Sequence, residues 1–290
     1  MKWFDYASPA SVAEALSLLA EHGERARLLA GGTDLIVQMR AGRRTPDMVI
    51  DIKNIAELNE LSYDPSTGLT LGAAVPCYKI YGNAQVAAAY PALDDVASLI
   101  GGTQIQGRAS IGGNLCNAAP SADAIPALIA LQGICRIAGP NGEREVAVED
   151  FCIAPGKTVL AANEILVSIH LPPPSANQGA RYIRFIPRNE MDIAVAGAGV
   201  SVELENGNFR GARIALASVA PTPLYVKAAG DFLAGKPVSD ENIEQAAAIA
   251  RDAAKPITDM RGTIAYRKHV SGVLTRRALH DAVARAKESR

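Results

Sequence analysis

Two glycine-rich turns are the stretches of this 290-residue chain best suited to chemistry: Leu29-Ala30-Gly31-Gly32-Thr33-Asp34-Leu35 and Ser110-Ile111-Gly112-Gly113-Asn114-Leu115-Cys116-Asn117. Each follows apolar sequence and sets a hydroxyl residue beside a Gly-Gly pair. Without a Cβ the backbone turns sharply and comes close to a ligand. Successive free amides in such a turn form a concave nest that suits phosphate oxygens. One Gly-Gly pair alone is more often only a turn. Two of similar design, on separate segments, predict a ligand with two phosphates gripped from both sides.

Other chemistries find little support. No serine sits in a nucleophile elbow, so no Ser-His-Asp set is arguable. The phosphate-binding P-loop is missing, and carboxylates are spread too widely to pair. Cys77, Cys116, Cys135 and Cys152 form no C-x-x-C, which argues against an iron–sulfur cluster or a structural zinc in this chain. They read as buried free thiols. The four histidines are equally dispersed. Any redox centre must therefore be organic and borrowed.

Those turns need elements to hold them. Arg27 to Ala30 reads as a short buried strand, and Leu35, Ile36 and Met39 as a helix capped by Thr33 or Asp34. Met48 to Ile52 is the next strand. Strand, Gly-Gly and capped helix make a coherent phosphate grip, but no G-x-G-x-x-G joins them as a Rossmann fingerprint requires. Gly197-Ala198-Gly199 leads into alternating Val200-Ser201-Val202, which reads as sheet. A hairpin spans Leu58 to Val75, and a helix from Pro91 to Ile100 leads through Gly101-Gly102 to the second turn. Asp123 opens a compact apolar helix from Ala124 to Leu131. Another hairpin turns at Gly139-Pro140-Asn141-Gly142, and a strand from Ile165 to Leu171 closes the region.

Pro172-Pro173-Pro174-Ser175 is the one clear linker. Three strands follow, Arg181 to Ile186, Ala194 to Leu204 and Phe209 to Val219, the last two joined at Asn206-Gly207. Helices are expected from Leu224, from Ser239 and from Gly262. The class is α+β. Apolar residues make up 49%, charged residues 20%, and the net charge is −1, an ordinary globular composition. With aromatics at 5% and no basic stripe, nucleic-acid binding is not expected. Neither a secretion signal nor an uncharged apolar run of membrane length is apparent, so a cytoplasmic location is expected.

The paired turns, with Pro120 and Asp123 after the second, resemble the FAD-binding medium subunit of the molybdenum hydroxylases, the xanthine dehydrogenase and carbon monoxide dehydrogenase family. The resemblance covers nearly the whole chain. It implies a two-lobed FAD-binding domain of the vanillyl-alcohol oxidase or PCMH type over residues 1–174, with lobes of about 1–55 and 56–174. A smaller domain of three antiparallel strands plus helices would follow over 178–290. Cofactor contacts carry over to Leu29 through Leu35, Gly101, Ser110, Ile111, Gly113, Asn114, Asn117 and Asp123, with Asp123 accepting from a sugar hydroxyl. Ile165 and Leu166 fall on the family's adenine-side strand, and Arg184 stands where many relatives have a lysine near the flavin. No side chain is implied as catalytic.

By the same resemblance the chain works in a heterotrimer or its dimer. A large subunit would hold molybdopterin cytosine dinucleotide, and a small subunit two 2Fe-2S clusters. FAD on this chain would pass their electrons to NAD, a quinone, oxygen or another acceptor. Three departures touch the ring environment and its surroundings: Gln104-Ile105-Gln106-Gly107-Arg108 before the second turn, Val75 in place of a frequent threonine, and Ile100 in place of an aromatic. The alternative is a self-sufficient FAD oxidoreductase of the vanillyl-alcohol oxidase superfamily, which would need its own proton-transfer groups at the ring. None can be picked out from the sequence.

Overall fold

The computed structural model describes residues 1–289. Strands β1 (Asp5–Ala7), β2 (Ala26–Leu29) and β3 (Met48–Asp51) form a parallel sheet in the order β1-β3-β2. Helix α1 (Val12–His22) joins the first two, and α2 (Leu35–Arg40) joins β2 to β3. Ser11 caps α1 by accepting from the Glu14 amide, and Ala15 and Leu19, one turn apart, are buried. The expected strand–turn–helix–strand unit is present, with the first Gly-Gly pair at its β2–α2 corner.

A second, antiparallel sheet contains β4 (Leu61–Asp64), β5 (Gly68–Gly72), β6 (Ile134–Gly139) and β7 (Gly142–Ala147). The hairpin β8 (Cys152–Ala154) and β9 (Lys157–Thr158) then precedes β10 (Ile165–Leu171), giving the sheet order β4-β5-β10-β6-β7. Central β10 serves two cores, because strand side chains alternate and a bulge between Leu166 and Ser168 shifts that alternation. Ile165 and Val167 join Ile50, Ile55 and Leu58 beneath the first sheet. Leu166, Ile169 and Leu171 join a larger helical core. Those helices are α3 (Cys77–Tyr81), α4 (Ala84–Ala89), α5 (Pro91–Ala97), α6 (Thr103–Gln106), α7 (Ile111–Asn117) and α8 (Ala124–Ala130), with α9 (Val148–Phe151) after β7.

The third sheet runs antiparallel as β11 (Gln178–Phe185), β12 (Ala196–Glu205), β13 (Asn208–Ala217) and β14 (Leu224–Tyr225). Helices α10 (Lys227–Leu233), α11 (Asp240–Ala253) and α12 (Ile264–Glu288) complete the chain's elements. Asn206 and Gly207 both take positive φ, 50° and 81°, as a tight hairpin requires. The expected three strands are four: Leu224 and Tyr225 pair with β13, and the helix begins only at Lys227. Pro221 and Pro223 hold the approach extended and delay the helix.

Asp95 of α5 binds this sheet to the rest. Its carboxylate accepts from Arg181 Nη1 at 2.6 Å, the Tyr182 amide at 3.1 Å, and Arg285 Nη1 and Nη2 at 2.8 and 2.9 Å. Among the described residues, no helix is long and apolar enough to cross a membrane.

Candidate cofactor-binding site

Between β2 and α2 the amides of Gly31, Gly32, Thr33, Asp34 and Leu35 find no acceptor among the described residues. Asp34 occupies the N-cap position of α2 without a side-chain bond to the helix, so neither expected cap forms. The amides stay open. The second Gly-Gly pair lies inside the first turn of α7, where Ser110 Oγ accepts from the Gly113 amide at 3.0 Å. The Gly113 N–H expected for the ligand is therefore already used, the antiparallel bridge between Pro76 and Ser110 engages that of Ile111, and that of Gly112 is free.

The two turns meet. A Cβ on Gly31 would lie 1.8 Å from the Arg108 carbonyl oxygen, and one on Gly112 would lie 2.5 Å from Ala73 Cα. Only hydrogen fits at either point. Gln38 Nε2 on α2 donates to Asn117 Oδ1 on α7 at 3.0 Å, fixing one helix against the other. Between them opens a cleft lined by Ala30 through Leu35 on one side and Ser110, Gly112, Gly113, Asn114 and Asn117 on the other.

Away from the turns the wall is apolar, with Leu28, Ile52, Ala73, Ile100, Leu160 and Leu166. Leu166 reaches the cleft and Ile165 does not, because adjacent residues of β10 face opposite ways. Arg27, Gln38 and Arg44 also line it and were not singled out from the sequence. A basic residue four positions before a Gly-Gly turn was the available signal for Arg27. Burial, and then the nearby Arg44 charge, lower the Arg27 pKa from its ordinary value. Neither arginine is ion-paired to a carboxylate among the described residues, so the cleft offers two unpaired cations beside the Asp34 carboxyl. Burial also raises the Asp34 carboxyl. Cys116 is exposed on the lining, against the expectation that all four thiols are buried; Cys77 and Cys135 are buried and Cys152 intermediate.

Six expected contacts lie outside the lining: Leu29, Gly101, Ile111, Asp123, Ile165 and Arg184. Ile111 and Ile165 are core residues, and Gly101 makes a turn with φ 62°. Asp123 is committed elsewhere. Its Oδ1 accepts from the Tyr182 hydroxyl at 2.7 Å and its Oδ2 from Arg184 Nη1 at 2.6 Å. Burial pushes this carboxyl up, and the Arg184 charge opposes it. Nor does Asp123 cap α8; Asn114 Oδ1 does so, accepting from the Ala124 amide at 3.2 Å. Arg184 Nη2 donates to the Leu99 carbonyl at 2.8 Å, directly behind Ile100 of the cleft wall. Its Nε is buried without a partner.

The donor set fits a dinucleotide: open amides for the diphosphate, an apolar slot for a flat ring, and two cations free of ion pairs. Residues 2–174 match the family "FAD binding domain in molybdopterin dehydrogenase", and residues 181–282 match "CO dehydrogenase flavoprotein C-terminal domain". The xanthine dehydrogenase FAD-binding subunit of Escherichia coli O157:H7 is 33% identical, and the carbon monoxide dehydrogenase medium chain of Afipia carboxidovorans 35%, each over 98% of both chains. The structure of carbon monoxide dehydrogenase from Hydrogenophaga pseudoflava matches with TM-score 0.94 and 35% identity, over 98% of both chains.

Proposed function

The chain belongs to the family of FAD-binding subunits of the molybdenum hydroxylases, which includes those of xanthine dehydrogenase and carbon monoxide dehydrogenase, and from that premise we propose that it is the electron outlet of such a complex. It is an oxidoreductase flavoprotein subunit. When bound, FAD would supply the redox chemistry between iron–sulfur clusters and an external acceptor. The chain's own residues place and polarise the cofactor. The amides of residues 31–35, with that of Gly112, would donate to the diphosphate. Leu166 and its apolar neighbours hold the adenine side. The buried Arg184–Asp123 pair braces the cleft wall, Arg184 bonding the carbonyl of Leu99 next to Ile100.

We assign residues 1–174 to the FAD-binding part, in two lobes, and 178–290 to the C-terminal part. The partners we propose are a large subunit with molybdopterin cytosine dinucleotide and a small one with two 2Fe-2S clusters, assembled in the cytoplasm. Five consecutive unpaired amides facing the second glycine turn across one cleft are the observation that carries the reading. The test is direct. Purified protein should show a flavin spectrum with one FAD per chain, or take up one FAD when supplied. Colourless protein that refuses FAD refutes it.

A further inference from the structure

A second groove, of about 410 Å³, lies where the segment after α7 meets the loop before α12. Pro120 and Ser121 line one side of it, and Lys255, Pro256 and Ile257, with Asp259 and Arg261, line another. Hydrogen bonds to the main chain tie its frame. The Ser218 amide donates to the Pro120 carbonyl at 2.7 Å, and the Lys255 amide to the Val219 carbonyl at 2.7 Å. Arg267 Nη1 donates to the Val195 and Ser218 carbonyls, each at 3.0 Å. The groove is therefore preformed, and its volume is that of a small-molecule site.

Two polar atoms of this lining are buried without a partner among the described residues, Ser218 Oγ and Arg267 Nε. Arg267 as a whole is only 4% exposed. Unpaired buried donors are costly, and folded chains keep few of them. Ser218 also holds a φ of 65°, unfavourable for a residue with a Cβ. Strain and unmet donors gathered on one lining point to a ligand that supplies acceptors. A flat protein surface would leave these buried atoms unmet, whereas a molecule small enough to enter the groove reaches them.

Charge selects the ligand's sign. Three cations, Lys255, Arg261 and Arg267, share the lining with one carboxylate. That carboxylate, Asp259, already accepts from the Arg261 amide at 2.8 Å and from Arg267 Nη2 at 2.5 Å. Lys255 and Arg261 form no ion pair among the described residues. Ile193, Pro221 and Ile257 add an apolar wall.

We propose that this groove binds a small organic anion, a carboxylate or phosphate group carried on an apolar body. Lys255 and Arg261 attract the charged group, Ser218 Oγ and Arg267 Nε donate to its oxygens, and the body packs on Ile193 and Ile257. The site is separate from the cofactor cleft and stands independently of the electron-transfer reading.

Benzoate and phenyl phosphate are the probes, with benzyl alcohol as the uncharged control. At least one anion should bind the purified protein saturably in calorimetry, with a Kd of about 1 mM or below, and raise its thermal midpoint. The tighter of the two identifies the charged group. Lys255→Gln combined with Arg261→Gln should weaken that binding at least about tenfold without changing FAD content. Ser218→Ala should weaken it about threefold or more, whereas a hydroxyl buried only by packing would leave affinity as it was. Failure of both anions to bind overturns the proposal, and so does equal binding of benzyl alcohol or an affinity that these substitutions leave unchanged. Where the double variant does not fold, an azide-bearing benzoate photolysed on the wild-type protein decides. It should label residues 218–221 or 255–267; labelling confined to residues 27–44 or 110–117 places the probe in the cofactor cleft and overturns the assignment.

Discussion

The four glycines of the two turns do different work. Gly31 and Gly112 are packing residues, pressed against the Arg108 carbonyl and Ala73. Gly113 lines the cleft, and a Cβ there would meet only Ser110 Oγ, at 2.9 Å. Gly31→Ala should therefore destabilise the whole protein by about 1–3 kcal/mol or more, read as a lower thermal midpoint. Gly113→Val should leave the midpoint of the FAD-free protein nearly unchanged and weaken FAD binding at least about tenfold in fluorescence titration. Equal effects of the two changes on stability would contradict this division. The sequence marked both pairs but could not separate packing glycine from ligand glycine, since the difference lies in which distant segment each one touches. For the same reason Asp123 and Arg184 read as separate ligand contacts. Their mutual bond spans 61 positions, and local pattern carries no trace of it.

At the scale of elements, local rules served well where the signal was local. The Asn206-Gly207 hairpin and the β2–α2 corner were legible, each depending on a few neighbouring residues, whereas the opposite facing of Ile165 and Leu166 was not read. The late start of α10 was not, because Leu224 and Tyr225 gain a strand partner from β13, which helical spacing cannot foresee. The loop before α12 supports a prediction of its own. The Arg261 amide, then Arg267, hold the Asp259 carboxyl below its ordinary range. A depressed folded value means that the stabilisation is complete above the unfolded pKa and is lost as pH falls through the folded one. Asp259→Asn should therefore lower stability at neutral pH and flatten its decline on acidification below about pH 4. Denaturant titrations across that window, with unchanged slope in the variant, would count against the assignment.

Across the whole molecule, Asp95 is one of two carboxylates, with Asp123, that tie the helical core to β11 of the third sheet. Its partners Arg181 and Arg285 have side chains 32% and 26% exposed, and its own is 9% exposed. Breaking a fully buried pair costs about 3–5 kcal/mol. Partial screening of the arginines reduces that here to about 2–3 kcal/mol for Asp95→Ala. Urea unfolding should report this loss, and it should make the third sheet the first region to open in hydrogen exchange. A loss under about 0.5 kcal/mol would place the tie among ordinary surface pairs.

Arg285 stands 190 positions after the aspartate it grips. During synthesis that handshake must wait for 190 further residues, so the turns and helices around the cleft are made well before α12 can lock them to the third sheet. Growth in scarce riboflavin, or early translational arrest, should then expose a half-locked species to proteases well before the finished protein becomes vulnerable.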